Sequence, residues 1–173
     1  MFICAGESET FDFAKPMGIG MIEMSINLTK LCMSKNPPAF IFFVGTAGSY
    51  GEHKIFDIVE SKTASNIESS FFHKKSYTPI NNVISTSKLY TRETVINSSN
   101  YITTSEEFNH YYLSKNIKLE NMEFFSVISV AQHFSIPVAG AFIVTNYCNA
   151  NAHKDFIKNH KKAMELLTKY IKE

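Results

Sequence analysis

Four short stretches hold residue types suited to binding or transforming a small molecule. Gly45-Thr-Ala-Gly-Ser-Tyr-Gly51 follows the most apolar run of the chain. Two small residues between two glycines let a backbone approach a ligand closely, and its N–H groups can converge on an anion. The same composition also serves a tight turn at a strand exit. No Gly-Lys-Ser/Thr follows, so the stretch is not a P-loop. Glu123 heads the nearly uncharged stretch Phe124-Phe-Ser-Val-Ile-Ser-Val-Ala131. A carboxylate there is either a solvated first-turn acid or a group held for a ligand. Its two oxygens can accept bonds from vicinal hydroxyls, which suits a ribose diol. Asn146 and Asn149 close the run Val144-Thr-Asn-Tyr-Cys-Asn149. An Asn amide both donates and accepts, so it can read a purine edge, or it can serve turns and helix caps. Tyr101, within Ser99-Asn-Tyr-Ile-Thr103, can stack on a base or sit in the core.

The elements that position these residues follow from hydrophobic spacing. Phe2-Ile-Cys-Ala5 reads as a first buried strand. Gly18-Ile-Gly20 opens a helix in which Ile19, Ile22, Ile26, Thr29 and Met33 recur at steps of three and four, which predicts a packed face. Asn36-Pro-Pro38 ends it. The continuous apolar run Ala39–Gly45 predicts a strand covered on both faces. Lys54–Glu60 alternates and reads as a strand; Asn82–Thr86 and Thr94–Asn97 are weaker strand candidates. Ser105-Glu-Glu107 reads as a capped helix start. A helix is expected over about 121–134, with Phe124, Val127, Ile128, Ala131 and Phe134 as its stripe. Pro137–Thr145 reads as a buried strand. About 154–171 reads as a final helix, with Phe156, His160, Ala163, Met164, Leu167 and Ile171 on one face. Strands alternating with helices indicate an α/β fold with a mostly parallel sheet. Ligands bind beyond the carboxyl ends of such strands, which points to Gly45, Tyr101 and Asn146.

Composition narrows the function classes. With 173 residues, 45% of them hydrophobic and 19% charged, the chain reads as one globular domain spanning 1–173. No apolar run approaches the ~20 residues of a membrane span. A net charge of +1 without a basic block lacks the footprint of a nucleic-acid binder. Cys4, Cys32 and Cys148 are odd in number and widely spaced, which argues against a disulfide framework or a structural metal site and for a reducing cytoplasm. The N-terminus lacks the positive n-region of a signal peptide. No internal repeat marks a solenoid. The stretch Ser61–Lys88 is loop-like in composition but keeps Phe71, Phe72 and Tyr77, so it reads as a strand-and-loop excursion.

Taken in order, the motifs are more specific than any one of them. Gly18-Ile-Gly20 before a helix, Phe43-Val-Gly-Thr-Ala-Gly48 after a strand, and Asn100-Tyr-Ile102 come first. Asn121-Met-Glu123 heading an apolar helix with Ala131-Gln-His-Phe-Ser-Ile-Pro137, then Val144-Thr-Asn146, complete the set. The chain resembles the purine nucleoside phosphorylase and nucleosidase superfamily, and most closely the 5'-methylthioadenosine/S-adenosylhomocysteine nucleosidase branch. The resemblance implies a three-layer α/β fold, with a mixed, mostly parallel central sheet flanked by helices. It implies cleavage of the N-glycosidic bond of a purine nucleoside through an oxocarbenium-like state, without a cofactor or metal.

The resemblance also implies roles. Met122 lies against the sugar and Glu123 holds its hydroxyls. Thr46, Ala47 and Gly48 line the ribose, or a phosphate or water site. Tyr101 stacks on the base, Ile102 touches its edge, and Asn146 contacts the purine N7. Glu7 or Glu9 stands in for the acid that activates water, and a solvent-facing loop acid is the other reading of either. Two departures matter. Thr145-Asn-Tyr-Cys-Asn149 replaces the family's Ser-Asp-x-Ala-Asp, and Asn146 can donate a hydrogen bond but cannot act as a general acid. One phosphorylase branch uses a Thr-Asn pair there, for 6-oxopurines, and His160 resembles that branch's 5'-hydroxyl contact. The chain is also short for the family, with the difference expected between Glu9 and Gly18. Inorganic phosphate as co-substrate would call for arginines, and Arg92 is the only one, so water is the expected nucleophile. The alternative is a nucleoside- or base-binding homologue without turnover. A homo-oligomer, favouring a dimer, is expected from the family and from the adjacent aromatic pairs Phe71-Phe72, Tyr111-Tyr112 and Phe124-Phe125.

Overall fold

Why two strands of this chain are apolar on both faces is answered by where they run. A computed structural model describes residues 1–86 and 93–173. At its centre β3 (Ile41–Ser49) pairs in parallel with β9 (Val138–Tyr147) over its whole length. Phe43 of β3 and Phe142 and Val144 of β9 face one layer; Val44, Ala141 and Ile143 face the other, as strand alternation requires. The first layer is α1 (Gly20–Cys32) and α4 (Phe124–His133); the second is α5 (Ala152–Lys172).

The other strands extend this pair into one nine-stranded sheet among the described residues. The other edge of β3 takes β1 (Phe2–Cys4) in parallel near its start, and β8 (Ile117–Asn121) antiparallel near its end. Beyond β1 lies the two-residue β2 (Lys15–Pro16). Beyond β8 come β7 (Val95–Ser98), β5 (Thr63–Ser65) and β6 (Val83–Ser85), while β4 (Ile58–Ser61) edges β9. Five of the eight pairings are parallel, so the mixed, mostly parallel sheet between helical layers is what the sequence implies. The short helices α2 (Ser69–Phe72) and α3 (Asn109–Ser114) close a satellite core around Tyr50, Tyr112 and Ile117.

Several sequence expectations shift. The buried face of α1 is Gly20, Met24, Leu28 and Cys32, whereas Ile19, Ile22, Ile26 and Met33 are exposed. Gly45–Ser49 continues β3 rather than forming an exit turn. Lys54–Asp57 is a turn closed by the Lys54 N–H on the Asp57 carboxylate at 2.8 Å, so the strand begins at Ile58. Ser105 receives the Glu107 N–H in a turn, and α3 starts only at Asn109. Asn121 ends a strand, and α4 starts at Phe124. The three aromatic pairs lie on helices, so strand alternation does not apply to them. Phe72 stacks on the exposed Tyr111 at 5.2 Å and meets the buried Tyr112 edge-on at 4.8 Å, against the satellite core.

Candidate active site

The carboxyl ends of β1, β3, β8 and β9 converge on one pocket of about 260 Å³. Glu123 lies between β8 and α4, only 6% exposed, which overturns the solvated reading. Its Oε1 accepts the Gly20 N–H at 2.9 Å, and its Oε2 accepts the Met122 N–H and the Asn121 amide at 3.2 Å each. Gly20 is the first residue of α1, so the carboxylate occupies one of that helix's otherwise unpartnered N–H groups. Asn100 Oδ1 takes the next one, from Met21, at 3.0 Å. Gly20 holds φ +76°, and a Cβ there would lie 2.9 Å from Asn100 Oδ1, so both its conformation and its neighbour require glycine. Burial, joined by the nearby Glu9 charge, pushes Glu123 up to about 8, against the pull of the Gly20 and Met122 N–H groups.

Glu9 reaches the same pocket from the turn after β1. Gly6 and Glu9 exchange backbone hydrogen bonds across that turn, with Glu7 at φ +53°. The turn sends the Glu9 carboxylate onto Thr46, whose N–H donates at 3.1 Å and whose hydroxyl donates to the other oxygen. Glu7 is exposed and does not line the pocket, which corrects its place among the candidates. Its carbonyl accepts the Thr10 hydroxyl at 2.8 Å.

Asn146 sits near the end of β9, opposite Gly48 across a bulge in the β3–β9 ladder. Its Oδ1 accepts the Thr145 hydroxyl at 2.9 Å, which orients Nδ2 as the donor. One Nδ2 hydrogen goes to the Tyr147 carbonyl at 3.2 Å. Asn149 does not line the pocket; it accepts the Asn151 N–H at 2.8 Å in the turn before α5.

Thr46, Ala47, Gly48, Tyr101, Ile102, Met122, Glu123, Asn146 and Glu9 all line the pocket. Tyr101 is 79% exposed at its mouth, so the core reading of this ring is overturned. The sequence reading missed His153 and Phe156 at the start of α5, and Glu120 on β8. An i, i+3 pair at a helix start was a legible signal for the first two; a buried Glu inside a strand had none. His160 does not line the pocket, and its ring packs on Phe156 at 4.9 Å. Arg92 lies outside the described residues. Among the described residues no group of three or more His, Cys, Asp or Glu is placed to hold a metal ion, and no helix is long and apolar enough to cross a membrane.

No protein-family model and no curated protein matches the chain. Solved structures do. An Asp-to-Asn mutant of the Helicobacter pylori 5'-methylthioadenosine/S-adenosylhomocysteine nucleosidase, with 5'-methylthioadenosine in its active site, is 22% identical with a TM-score of 0.78. The match covers 92% of this chain and 77% of that one. A futalosine hydrolase mutant from Helicobacter pylori strain 26695 is 18% identical at a TM-score of 0.80, covering 99% and 95%. The Streptococcus pneumoniae MTA/SAH nucleosidase in complex with 8-aminoadenine is 12% identical at 0.76, covering 98% and 95%. The fold is therefore that of the nucleosidases. Among them it matches both the methylthioadenosine/adenosylhomocysteine and the futalosine-cleaving structures over most of its length.

Proposed function

We propose that this single-domain chain is a purine nucleosidase, which cleaves the N-glycosidic bond of a purine nucleoside with water. The supporting observation is one pocket into which a nearly buried carboxylate, Glu123, opens together with Glu9 and Asn146. The ribose hydroxyls donate to Glu123, which gives up its proton to solvent as it receives them. Its negative charge then faces the sugar as positive charge develops on C1'. Glu9, fixed by both donors of Thr46, accepts a proton from water as the water oxygen bonds to C1'. The C1'–N9 bond breaks and its electron pair leaves with the base. Asn146 Nδ2 donates to N7 and stabilises that charge, and the base takes its proton from solvent. Tyr101 covers the base at the mouth. The three free cysteines suit a cytoplasmic setting, and the exposed face of α1 suits a homodimer.

Incubating the protein with inosine, adenosine and methylthioadenosine, with and without phosphate, tests this. Free base without added phosphate is the expected result; strict dependence on phosphate makes the protein a phosphorylase. The absence of free base in every condition overturns cleavage. A second reading rests on Asn146, which can give a hydrogen bond but no proton: a relative that holds a nucleoside or base without turnover. Calorimetric binding of adenine or hypoxanthine with no product at any time decides for that reading.

A further inference from the structure

Tyr101 and Ile102 border the pocket mouth on a strap, residues 99–103, that follows β7. At 79% and 53% exposure, neither side chain is fixed by packing. The Tyr101 N–H is taken up within the strap, by Ser99 Oγ at 3.1 Å. The strap is held at its two ends. At the first, the Ser99 N–H donates to the Asn121 carbonyl at 3.2 Å, and Asn100 Oδ1 accepts the Met21 N–H at 3.0 Å. At the second, Thr103 gives both its donors to Glu120, the N–H to Oε1 at 2.9 Å and the hydroxyl to Oε2 at 2.7 Å. The Tyr50 hydroxyl donates to the same Oε2 at 2.8 Å, and the buried Cys148 thiol also bonds to the carboxylate. The protein itself thus occupies this carboxylate, which makes it a support and not a ligand contact. The support is rigid: Glu120 sits on β8 between β3 and β7, and Tyr50 stacks on Tyr112 at 4.2 Å.

Both anchors belong to the elements that hold Glu123. The start of α1 gives its Gly20 N–H to Glu123 and its Met21 N–H to Asn100. Strand β8 carries Glu120 and leads directly into Met122 and Glu123. The strap therefore keeps Tyr101 in register with the Glu123 carboxylate. A base and its sugar form one stiff ligand, so two contacts on it act together only where their spacing is fixed. A strap ordered in advance also spares the entropy of ordering exposed side chains on binding.

We infer that Glu120 is a positioning residue: by holding Thr103 it fixes the 99–103 strap so that Tyr101 lies over a bound purine ring. The inference rests on the reading of Tyr101 as the ring that covers the base.

Calorimetric affinity for adenine and hypoxanthine tests it, since free bases are not consumed and carry no sugar for Glu123. Glu120→Leu removes the anchor but leaves the buried Tyr50 hydroxyl unpaired, which threatens folding. Thr103→Ala cuts the hydroxyl bond from a half-buried loop site and spares the core. It should weaken the better-bound base by about tenfold, the scale of one hydrogen bond to a charged group. In Tyr101→Ala the same substitution should cost less than about twofold, because a residue acting through Tyr101 then has nothing to position. Wild-type affinity in Thr103→Ala overturns the inference. So does an equal loss with and without Tyr101, which a merely structural role predicts.

A second readout needs no ligand. The chain contains no tryptophan, so Tyr101→Trp puts a single fluorophore on the strap. Its anisotropy should fall when Thr103→Ala is added. It should hold when Glu120→Gln is added instead, because Gln keeps an acceptor for the Thr103 N–H and an amide that the Thr103 and Tyr50 hydroxyls can turn to meet. Unchanged anisotropy with Thr103→Ala overturns the anchoring by Glu120. If neither base binds, or Tyr101→Ala binds both as the wild type does, the purine reading of Tyr101 falls and takes the inference with it. The anisotropy separates that failure from a strap that Glu120 does not hold, and nucleoside cleavage decides the proposed activity independently.

Discussion

Glu123 is held by three N–H donors yet titrates near 8, because burial and the Glu9 charge outweigh those bonds. A free Glu side chain titrates at about 4.3. Between that value and about 8, the unfolded chain has shed a proton that the folded chain keeps. Stability therefore falls as pH rises through this window, by up to ~1.4 kcal/mol per unit, and levels off above it. Glu123→Gln removes the titration, so its melting temperature should gain on wild type between pH 5 and 8. Nucleoside binding should show the opposite trend. The diol needs the ionised form, so wild-type affinity should rise by up to about tenfold per pH unit toward pH 8 and then flatten. At pH 8 the Gln variant should bind nucleoside about tenfold to a hundredfold more weakly, as loss of a bond to a charged group of ~1.5–3 kcal/mol implies, with free base unaffected. Equal nucleoside affinity in the two proteins removes Glu123 from the sugar site. Asn146→Asp tests the other end of the pocket. Thr145 would still donate to one oxygen, and a carboxyl buried there stays protonated and able to deliver a proton. Base release should rise by about a hundredfold or more in a single-turnover assay, the usual scale of general acid catalysis; an unchanged rate means the base departs without help from this position.

At the scale of elements, α1 shows what a sequence pattern withholds. Ile19, Ile22, Ile26 and Met33 make one stripe at helical spacing; Gly20, Met24, Leu28 and Cys32 make another, and both satisfy the same periodicity. The helix exists where the spacing predicts it, but only the packing of α1 on α4 and the sheet chooses which stripe is buried. Leu28→Ala should cost ~2–5 kcal/mol in chemical denaturation, the usual range for a core Leu. Ile22→Ala, at a site 68% exposed in the single chain, should stay within about 0.5 kcal/mol when unfolding is followed at a concentration where the chain is monomeric; the reverse order would put the sequence-predicted stripe back in the core. The strands β3 and β9 were legible because their apolar runs are continuous. β8 was not, because its buried positions Glu120 and Asn121 are polar and satisfied by Tyr50, Thr103 and Ser98 rather than by apolar neighbours. The choice of Glu9 over Glu7 was equally hidden: it depends on a turn with two successive positive φ values, and Gly6 suits the first but nothing about Glu7 announces the second.

For the whole molecule, the sheet buries its own two faces, and α1 with its two flanking residues carries one stripe of exposed apolar side chains. Ile19, Ile22, Ile26 and Met33 are all exposed, and Ile19 also lines the pocket. An apolar stripe of this length on a chain of net charge +1 lacks the charge repulsion that would keep copies apart. A second copy seated on it through a two-fold axis would set the same face against itself, the commonest arrangement of small oligomers. Light scattering at micromolar concentration should then report about twice the ~20 kDa expected for one chain of this length. Ile22→Glu together with Ile26→Glu should return the mass to the monomer. Because neither side chain lies in the intramolecular core, far-ultraviolet circular dichroism should remain that of the folded chain. Ile19 ties this face to the pocket, so the monomeric variant should also bind nucleoside more weakly than the wild type while binding free base about equally. A wild-type mass of one chain would mean that the α1 stripe stays open to solvent and that the pocket is complete within a single copy.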